Sequence, residues 1–255
     1  MIVKPIKTRK VRPGEDNDLY ALLDDYLPRL REGSIVAITS KVVAICEGRF
    51  AGIGKISKNK LIEQEAEYFL PRGKNGFYLT IKYNLLIPSA GIDESNGNGY
   101  YILWPGDPQR TANKARKYLA KKFNLKRVGV IITDSKTNPL RWGVTGVSIV
   151  HSGFAPMNNY IGSKDIFGRE LKYTKTNIMD ALGTAAVLIM GEGKEQTPLA
   201  IIEDIPFVNF QRRNPTQKEL REVRITMMQD DLYKKLLTRV KWRKGGSAGR
   251  NLYGK

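Results

Sequence analysis

Residues 128–141, VGVIITDSKTNPLR, predict a buried strand that ends in polar side chains. The first five residues are apolar and mostly β-branched, which is typical of such a strand. We expect the run to end in Thr133-Asp134-Ser135, which places a carboxylate and a hydroxyl at the carboxyl end of the strand, and a turn to follow over residues 136–139. Carboxylate and hydroxyl oxygens suit a hard cation, and the guanidinium of Arg141 suits phosphate. The stretch is therefore a candidate cradle for metal-bound phosphate, and an ordinary turn or helix cap is the alternative.

The composition is that of a globular protein with a sizeable core, since 41% of the 255 residues are hydrophobic and 27% are charged. No apolar run approaches the roughly 18 residues needed to cross a bilayer, and the N-terminus lacks the apolar core of a signal peptide. No membrane association is therefore expected. Cys46 is the only cysteine, which excludes an internal disulfide and a cysteine-based zinc site. We expect a cytoplasmic protein.

The net charge of +18 is concentrated toward the C-terminus, where residues 205–255 contain 13 Lys and Arg against 4 Asp and Glu. A basic protein can bind nucleic acid, an anionic membrane or small polyanions such as nucleotides. No zinc finger, basic zipper or aromatic RNA-binding motif is present, so a nucleic-acid partner is not expected. The charge indicates either a solvated surface with a basic tail or a preference for small anionic ligands.

Hydrophobic periodicity predicts helices and strands without regular βαβ alternation, which favours an α+β fold with mixed and antiparallel sheets. Helices are predicted over residues 18–30, 58–68, 111–123, 177–190, 215–224 and 230–240. Further strands are predicted over residues 34–38, 78–86, 100–104, 142–154 and 199–202. Residues 244–255 are expected to be disordered. His151, the only histidine, is interpreted as a structural residue.

A second polar segment, Thr39-Ser40-Lys41, lies between the strand at 34–38 and a helix that begins near Val42. Two hydroxyls, an ammonium group and the free N–H groups of a helix N-terminus would converge there, an arrangement that suits phosphate. The glycines of a Walker A loop are absent. A capped helix with a surface lysine is the alternative.

Two glycine-bearing loops are further candidate site segments. The loop at 88–99 is dense in glycine and polar side chains, and Asp93 and Asn96 can both offer oxygen ligands. The loop at 191–198 is the second. Such loops are often plain connections, but binding residues also concentrate in them.

Four separated segments together resemble the coenzyme F420 γ-glutamyl ligases, and their order and spacing carry the resemblance. The segments are TSKVVAICEGR at 39–49, AGIDESN at 90–96, the run from ITDSKTNPLRWG to DIFGREL at 132–171, and MGEGKEQTP at 190–198. The sequence Arg12-Pro13-Gly14 fits as well. The similarity extends over approximately residues 1–205.

The resemblance implies an F420 γ-glutamyl ligase-like α+β fold that forms an intertwined homodimer. We expect residues 1–208 to form the catalytic domain, because the matching segments end before residue 209. Residues 209–255 have no clear match in the family. They are expected to form a basic extension that is helical and then disordered.

The resemblance also implies a reaction in which L-glutamate is joined to a carboxylate of the F420 precursor. The family uses GTP and a divalent metal, manganese or magnesium. The acceptor carboxylate is expected to be activated as an acyl phosphate, which the amine of glutamate then attacks. A monovalent cation is left open as an additional cofactor.

Three kinds of site residue follow from the resemblance, position by position. The metal ligands would be Asp93, Asp134, Ser135 and Glu192. The nucleotide contacts would be Thr39, Ser40, Lys41, Asn96, Met190, Gly191, Gly193, Gln196 and Thr197. Lys41 and Arg141 would be catalytic, because their charges would stabilise phosphoryl charge that the metal leaves uncovered.

The sequence departs from the family pattern at two places. Residues 7–11 read Lys-Thr-Arg-Lys-Val where the family typically has Gly-Leu-Pro-Glu-Ile, so GTP and ATP both stay open. The turn after Ser135 reads Lys-Thr-Asn, where the family has His or Phe followed by Gly-Arg. These departures resemble a branch of the family that acts on folates. The F420 precursor and a folate therefore both stay open as the acceptor.

The alternative function is a non-catalytic basic protein that has reused the fold to bind a nucleotide or RNA. The overall charge favours this hypothesis. The acidic candidates Asp93, Asp134 and Glu192 argue against it, because a surface that binds polyanions has no need of clustered acids.

Overall fold

The computed structural model describes residues 1–74, 76–225 and 231–247. The helices in these ranges are α1 (Leu19–Tyr26), α2 (Ser40–Cys46), α3 (Lys58–Glu65), α4 (Pro108–Lys122), α5 (Ile178–Met190), α6 (Gln217–Glu222) and α7 (Lys234–Leu237). The strands are β1 (Ile2–Ile6), β2 (Ser34–Thr39), β3 (Phe50–Gly52), β4 (Tyr68–Phe69), β5 (Leu79–Lys82), β6 (Leu85–Pro88), β7 (Tyr100–Ile102), β8 (Val128–Thr137), β9 (Val144–Ser152), β10 (Met157–Asn159), β11 (Lys175–Asn177), β12 (Leu199–Glu203) and β13 (Arg243–Lys244). No helix in the described ranges has the length and apolar character needed to cross a membrane.

A five-stranded mixed sheet with the strand order β1-β12-β2-β8-β9 forms the centre of the molecule. In this sheet β2 and β8 pair in parallel, and the other neighbouring strands pair antiparallel. The parallel register runs from Ser34 opposite Val128 to Thr39 opposite Thr133. The expected α+β architecture with mixed and antiparallel sheets is confirmed.

Helices cover both faces of this sheet. Successive side chains of a strand point to opposite faces, and here each face contributes to a separate apolar cluster. Helices α1 and α4 pack on one face against Val36 and Val130. Helix α5 packs on the other face against Ile35 and Ile131. Each fully buried aliphatic side chain contributes about 1.5–3 kcal/mol, so the two clusters strongly favour this register of the central strands.

A smaller antiparallel sheet, with the strand order β13-β4-β5-β6, lies beside the main one. The single strand predicted over 78–86 is wrong, because the chain reverses between β5 and β6. Tyr83 and Asn84 have φ angles of 54° and 57° at this reversal, the left-handed geometry of a tight hairpin turn. Asparagine tolerates this geometry but tyrosine seldom adopts it, so the sequence indicated the turn only weakly.

Strand β8 is longer than its apolar residues predicted. Its parallel partner β2 ends at Thr39, but β8 continues to Thr137, which pairs with Val144 of β9. The register shifts between Ile132 and Thr133, where the parallel pairing gives way to a two-stranded ribbon. The turn predicted to begin at Lys136 is therefore wrong, because Lys136 and Thr137 still pair with β9, which extends beyond the parallel partner.

Helix limits differ from the predicted ones because of proline and capping. Helix α1 ends at Tyr26 because Pro28 disfavours helical backbone at Leu27, which is extended with φ −75° and ψ 124°. Helix α4 begins at Pro108, three residues before its predicted start, since the Asp107 side chain caps it and proline suits the first turn. Helix α3 ends three residues early because the residues after it lead into β4.

The described part of the C-terminal extension packs back onto the rest of the chain. Strand β13 pairs with β4 and places Arg243 opposite Phe69. The hydroxyl of Ser247 donates to the Glu65 carbonyl over 2.7 Å. The extension thus adds a strand to the edge of the smaller sheet.

Two predictions about this extension need correction. Of the helix predicted over 230–240, the described residues are helical only in α7. Residues 244–247, expected to be disordered, lie in β13 and the turn after it, because backbone groups around α3 and β4 bind them. The rest of that segment, 248–255, falls outside the described residues. The domain division at residue 208 stays a prediction.

His151 is a core residue, which confirms its interpretation as structural. Its side chain is fully buried on β9, and its ring lies 5.3 Å from that of Phe154. Neither ring nitrogen has a hydrogen-bond partner among the described residues. Burial lowers the pKa of His151 to about 4, with a smaller contribution from the positive charge of Arg224. The imidazole is therefore neutral in the folded protein near pH 7.

Stability should fall as the pH is lowered from about 6.5 to 4, because the unfolded chain protonates this histidine before the folded protein does. Across that pH range, His151 alone lowers the free energy of unfolding by about 3 kcal/mol. When the pH is lowered from 7.5 to 4.5, the free energy of unfolding should fall by about 2–3 kcal/mol less in His151→Gln than in the wild type. Urea unfolding of both proteins at the two pH values measures this, and equal losses would contradict it.

Candidate active site

A cavity of about 690 Å³ lies at the edge of the main sheet where the parallel pair β2–β8 ends. Its walls come from residues 8–12, 39–45, 93–98, 133–135 and 187–198. Segments that are far apart in sequence thus surround one space. The predicted site residues that line it are Thr39, Lys41, Asp93, Asn96, Asp134, Ser135, Met190, Gly191, Glu192, Gly193, Gln196 and Thr197.

Asp134 is held in one orientation by three donors. Its Oδ2 atom accepts hydrogen bonds from Ser40 Oγ over 3.0 Å and from Trp104 Nε1. Its Oδ1 atom accepts from the backbone N–H of Ser135 over 2.8 Å. Burial raises the pKa of Asp134, and these donors oppose the rise only in part. The carboxylate therefore has a fixed geometry and lacks a full counter-charge.

Asp93, in contrast, has a cationic partner. Lys41 Nζ lies 2.7 Å from Asp93 Oδ2 and donates also to the Ser95 carbonyl over 2.8 Å. Burial acts to raise the pKa of Asp93, but hydrogen bonds from Lys41 and Ser95 outweigh it and lower the pKa below its ordinary value. Lys41 thereby fixes the loop that carries Asp93 against the start of α2.

Glu192 is close enough to the other acids to feel their charge. Burial raises its pKa first, and the negative charge of Asp134 raises it further, while a hydrogen bond from Ser135 acts in the opposite direction. Such mutual repulsion between partly desolvated carboxylates is what a bound cation relieves.

These donors fit a divalent cation in part. Carboxylate and hydroxyl oxygens are the ligands that hard cations prefer, and Asp134, Ser135 and Glu192 lie together. Among the described residues, however, no three acidic, histidine or cysteine side chains converge closely enough to form a metal cluster. Asp93, the remaining predicted ligand, forms a salt bridge with Lys41.

The two loops that carry most of the predicted nucleotide residues are joined by hydrogen bonds. Asn96 Nδ2 donates to the Gly193 carbonyl over 3.0 Å, which joins the loop of Asp93 to the loop after α5. The hydroxyl of Thr197 donates to the Met190 carbonyl and closes the second loop on itself. In the same loop, the Gln196 carbonyl accepts a hydrogen bond from the backbone N–H of Thr8 over 2.9 Å. The N-terminal segment therefore borders the same cavity.

Two predicted site residues lie elsewhere. Ser40 does not line the cavity, and its hydroxyl contacts Asp134 instead. Arg141 lies at the exposed tip of the β8–β9 hairpin, where it donates to the Leu140 carbonyl over 3.2 Å. The expectation that it lies beside Asp134 is wrong for a single chain. At roughly 3.4 Å per residue, β8 carries the chain about 10 Å beyond that aspartate before the tip begins.

The structure adds residues that the sequence did not single out as contacts. The cations Arg9, Lys10 and Arg12 line the cavity, whereas the sequence marked residues 7–11 only as a departure from the family pattern. Trp104 binds Asp134, yet in the sequence it is one more apolar residue at the end of a strand. No local pattern could have indicated that contact.

The fold and cavity together define an α+β protein with a loop-walled cavity that is lined by both acidic and basic side chains. A profile of the F420-0:γ-glutamyl ligase family matches residues 5–204, which is most of the chain. The protein therefore belongs to this family, as the resemblance predicted.

Relatives named coenzyme F420:L-glutamate ligase are similar over most of their length. The Methanopyrus kandleri protein is 35% identical over 215 residues, which cover 77% of this chain and 84% of the relative. The Methanocaldococcus jannaschii protein is 33% identical over 220 residues, covering 79% and 87%. The Archaeoglobus fulgidus protein is 33% identical over 211 residues, covering 75% and 83%.

Lys41→Met should loosen the loop around Asp93, because it removes the ammonium group that binds this loop at two residues. A loss of about 1–2 kcal/mol in local stability would speed amide hydrogen exchange of residues 93–97 about 5- to 30-fold. Hydrogen exchange read by mass spectrometry measures this.

Lys58→Met is the matched control, since Lys58 contacts the same loop only through Glu94 at 3.2 Å. A single surface ion pair contributes little, so exchange should change far less. The same acceleration in both variants would show that Lys41 has no special part in fixing the loop.

Proposed function

We propose that the protein is a nucleotide- and metal-dependent γ-glutamyl ligase that joins L-glutamate to an acceptor carboxylate through an amide bond. The observation that carries this proposal is the meeting of three acids, a lysine and two glycine-bearing loops around one cavity. Family membership and the names of the relatives support it.

The reaction consists of two transfers. An oxygen of the acceptor carboxylate attacks the terminal phosphorus of a nucleoside triphosphate, and the bond to the bridging oxygen breaks. An acyl phosphate and a nucleoside diphosphate result. The neutral amine of glutamate then attacks the acyl carbon, the bond to the phosphate oxygen breaks, and the amide, inorganic phosphate and a proton are formed.

The acidic wall would hold the divalent cation, manganese or magnesium, through Asp134, Ser135 and Glu192, with Asp93 as a further ligand. The cation would neutralise phosphoryl charge during the first transfer. The ammonium group of Lys41 would contact phosphate oxygens once Asp93 binds the cation instead. A monovalent cation is kept as an additional candidate cofactor.

The nucleotide and the acceptor are each proposed as one of two compounds. GTP or ATP would lie along the loops of Asn96 and Gln196, with Arg9 and Lys10 bordering the same cavity. The acceptor would be the F420 precursor or a folate, both of which carry a carboxylate. The names of the relatives favour the F420 precursor.

A homodimer is proposed from an exposed apolar surface, which we call the hairpin surface. It consists of side chains at the hairpin tip and on the segment between β10 and β11. They are almost fully exposed: Leu140 97%, Trp142 104%, Ile166 92%, Phe167 90% and Tyr173 88%. Large apolar side chains with this exposure are typical of interaction surfaces. A second copy that covers it would bring Arg141 to a neighbouring cavity and restore the predicted catalytic role.

The alternative, a basic binding protein without catalysis, is favoured only by the charge of +18. Tight RNA binding that weakens steeply with salt, together with no nucleotide hydrolysis, would support it over the ligase.

Ligase activity can be tested with purified protein, glutamate, manganese or magnesium, GTP or ATP, and each acceptor in turn. Mass spectrometry should show an acceptor heavier by one glutamyl unit. Asp134→Asn should lower the rate at least about 100-fold while the melting temperature changes little, because a cation ligand is lost without loss of volume.

Asp204→Asn is the control for that substitution, since Asp204 is an exposed carboxylate that pairs with Arg31 away from the cavity. It should keep full activity. If no acceptor gains mass with any nucleotide, the proposed reaction is wrong. Full activity in Asp134→Asn would refute the metal site alone.

The dimer can be tested by complementation between two inactive variants. Arg141→Ala removes the hairpin guanidinium, and Asp134→Asn disables the cavity, so each homodimer should be inactive. Refolding the two together should restore up to about a quarter of wild-type activity, because mixed dimers contain one cavity with both residues intact. Activity that stays absent after mixing, with dimers present by light scattering, would show that Arg141 does not act across the interface.

A further inference from the structure

We propose that Trp104 is a positioning residue that sets how Asp134 presents its carboxylate to a cation. The proposal rests on the proposed function, because it takes the carboxylate to be a cation ligand. Trp104 itself does not line the cavity, and it acts through the aspartate.

Hydrogen bonding leaves Asp134 with a single free direction. Oδ2 accepts from both Trp104 Nε1 and Ser40 Oγ, which occupy its two lone-pair directions. Oδ1 accepts from the backbone of Ser135 and keeps one direction open. The carboxylate therefore offers one oxygen to a ligand, and the indole N–H is one of the donors that determine which oxygen it is.

The indole ring is held so firmly that its N–H direction is fixed. Trp104 is 1% exposed and stacks on Tyr83 with ring centroids 5.7 Å apart. The Tyr83 hydroxyl in turn donates to the Pro105 carbonyl over 2.9 Å. On the other side the ring touches Gly91, where an added Cβ atom would lie 2.3 Å from Nε1.

The Trp104 ring also contacts the segments that carry two proposed cation ligands, Asp93 and Asp134. Ser89, Ala90 and Gly91 have φ angles of 52°, 54° and 72°, so the chain bends tightly beside the indole just before Asp93. A glycine at this bend leaves the space that the ring occupies. Trp104 therefore spans from the loop of Asp93 to the carboxylate of Asp134.

Phenylalanine at position 104 would keep an aromatic ring in the core but remove the N–H group. We expect Trp104→Phe to weaken Mn²⁺ binding about 10- to 100-fold, the usual effect of removing a group that orients a metal ligand. Electron paramagnetic resonance of free Mn²⁺ measures the affinity in the full chain, both alone and with a nucleoside diphosphate. Unchanged affinity would overturn the proposal and leave the proposed function standing.

Trp242→Phe is the matched control. It also removes an indole N–H donor, but one that lies in the C-terminal extension and donates to the Leu237 carbonyl over 2.7 Å. Its Mn²⁺ affinity should equal that of the wild type. Equal weakening in both variants would overturn the proposal, because the effect would then be general.

A measurement on the unmodified protein decides the matter if Trp104→Phe does not fold. The indole N–H resonance of Trp104 in a ¹⁵N correlation spectrum should shift when Mg²⁺ is added, and that of Trp242 should not. Mg²⁺ binding without a shift of the Trp104 resonance would overturn this proposal and leave the proposed metal site standing. No binding of Mn²⁺ or Mg²⁺ by the wild type would overturn both this proposal and the metal site of the proposed function.

Discussion

The parallel pairing of β2 with β8 is the constraint on which the site depends. The two strands reach the same edge of the sheet, but β2 turns at once into α2 whereas β8 continues along β9. A hydroxyl at the start of the helix and a carboxylate on the continuing strand therefore meet, and Ser40 Oγ lies 3.0 Å from Asp134 Oδ2. A register shift of one residue would turn the core side chains of either strand to the wrong face, so burial maintains the contact.

Acidic side chains come close to one another at this edge, among basic ones, in a chain that carries +18 as a whole. Burial and the charge of Asp134 both raise the pKa of Glu192, whereas Lys41 lowers that of Asp93. A partly desolvated carboxylate without an ion-pair partner destabilises the folded protein. The presence of such acids in a basic protein therefore says more about the ligand than the basic surface does. Lys41 forms an ion pair with Asp93, whereas Asp134 and Glu192 have no salt bridge among the described residues.

Local chemistry determined the features that could be predicted from the sequence. The strand before Asp134 and helix α5 follow from apolar runs and caps, and the family motifs identified which loops belong together. Contacts between distant segments had no local signal, and Trp104 reaches Asp134 across 30 positions. The place of Arg141 was misjudged because the extent of a ribbon depends on its partner strand, which the polar sequence of the hairpin did not reveal.

The short strand β13 has a consequence for how the molecule is made. It covers the edge of β4 with backbone from residues 243–244, about 175 positions further along the chain. A nascent protein exposes this edge until residues 243–244 have left the ribosome, and open strand edges invite pairing with other chains. Translation that stops early would therefore yield a product with an open sheet edge, even though every segment around the cavity is already present.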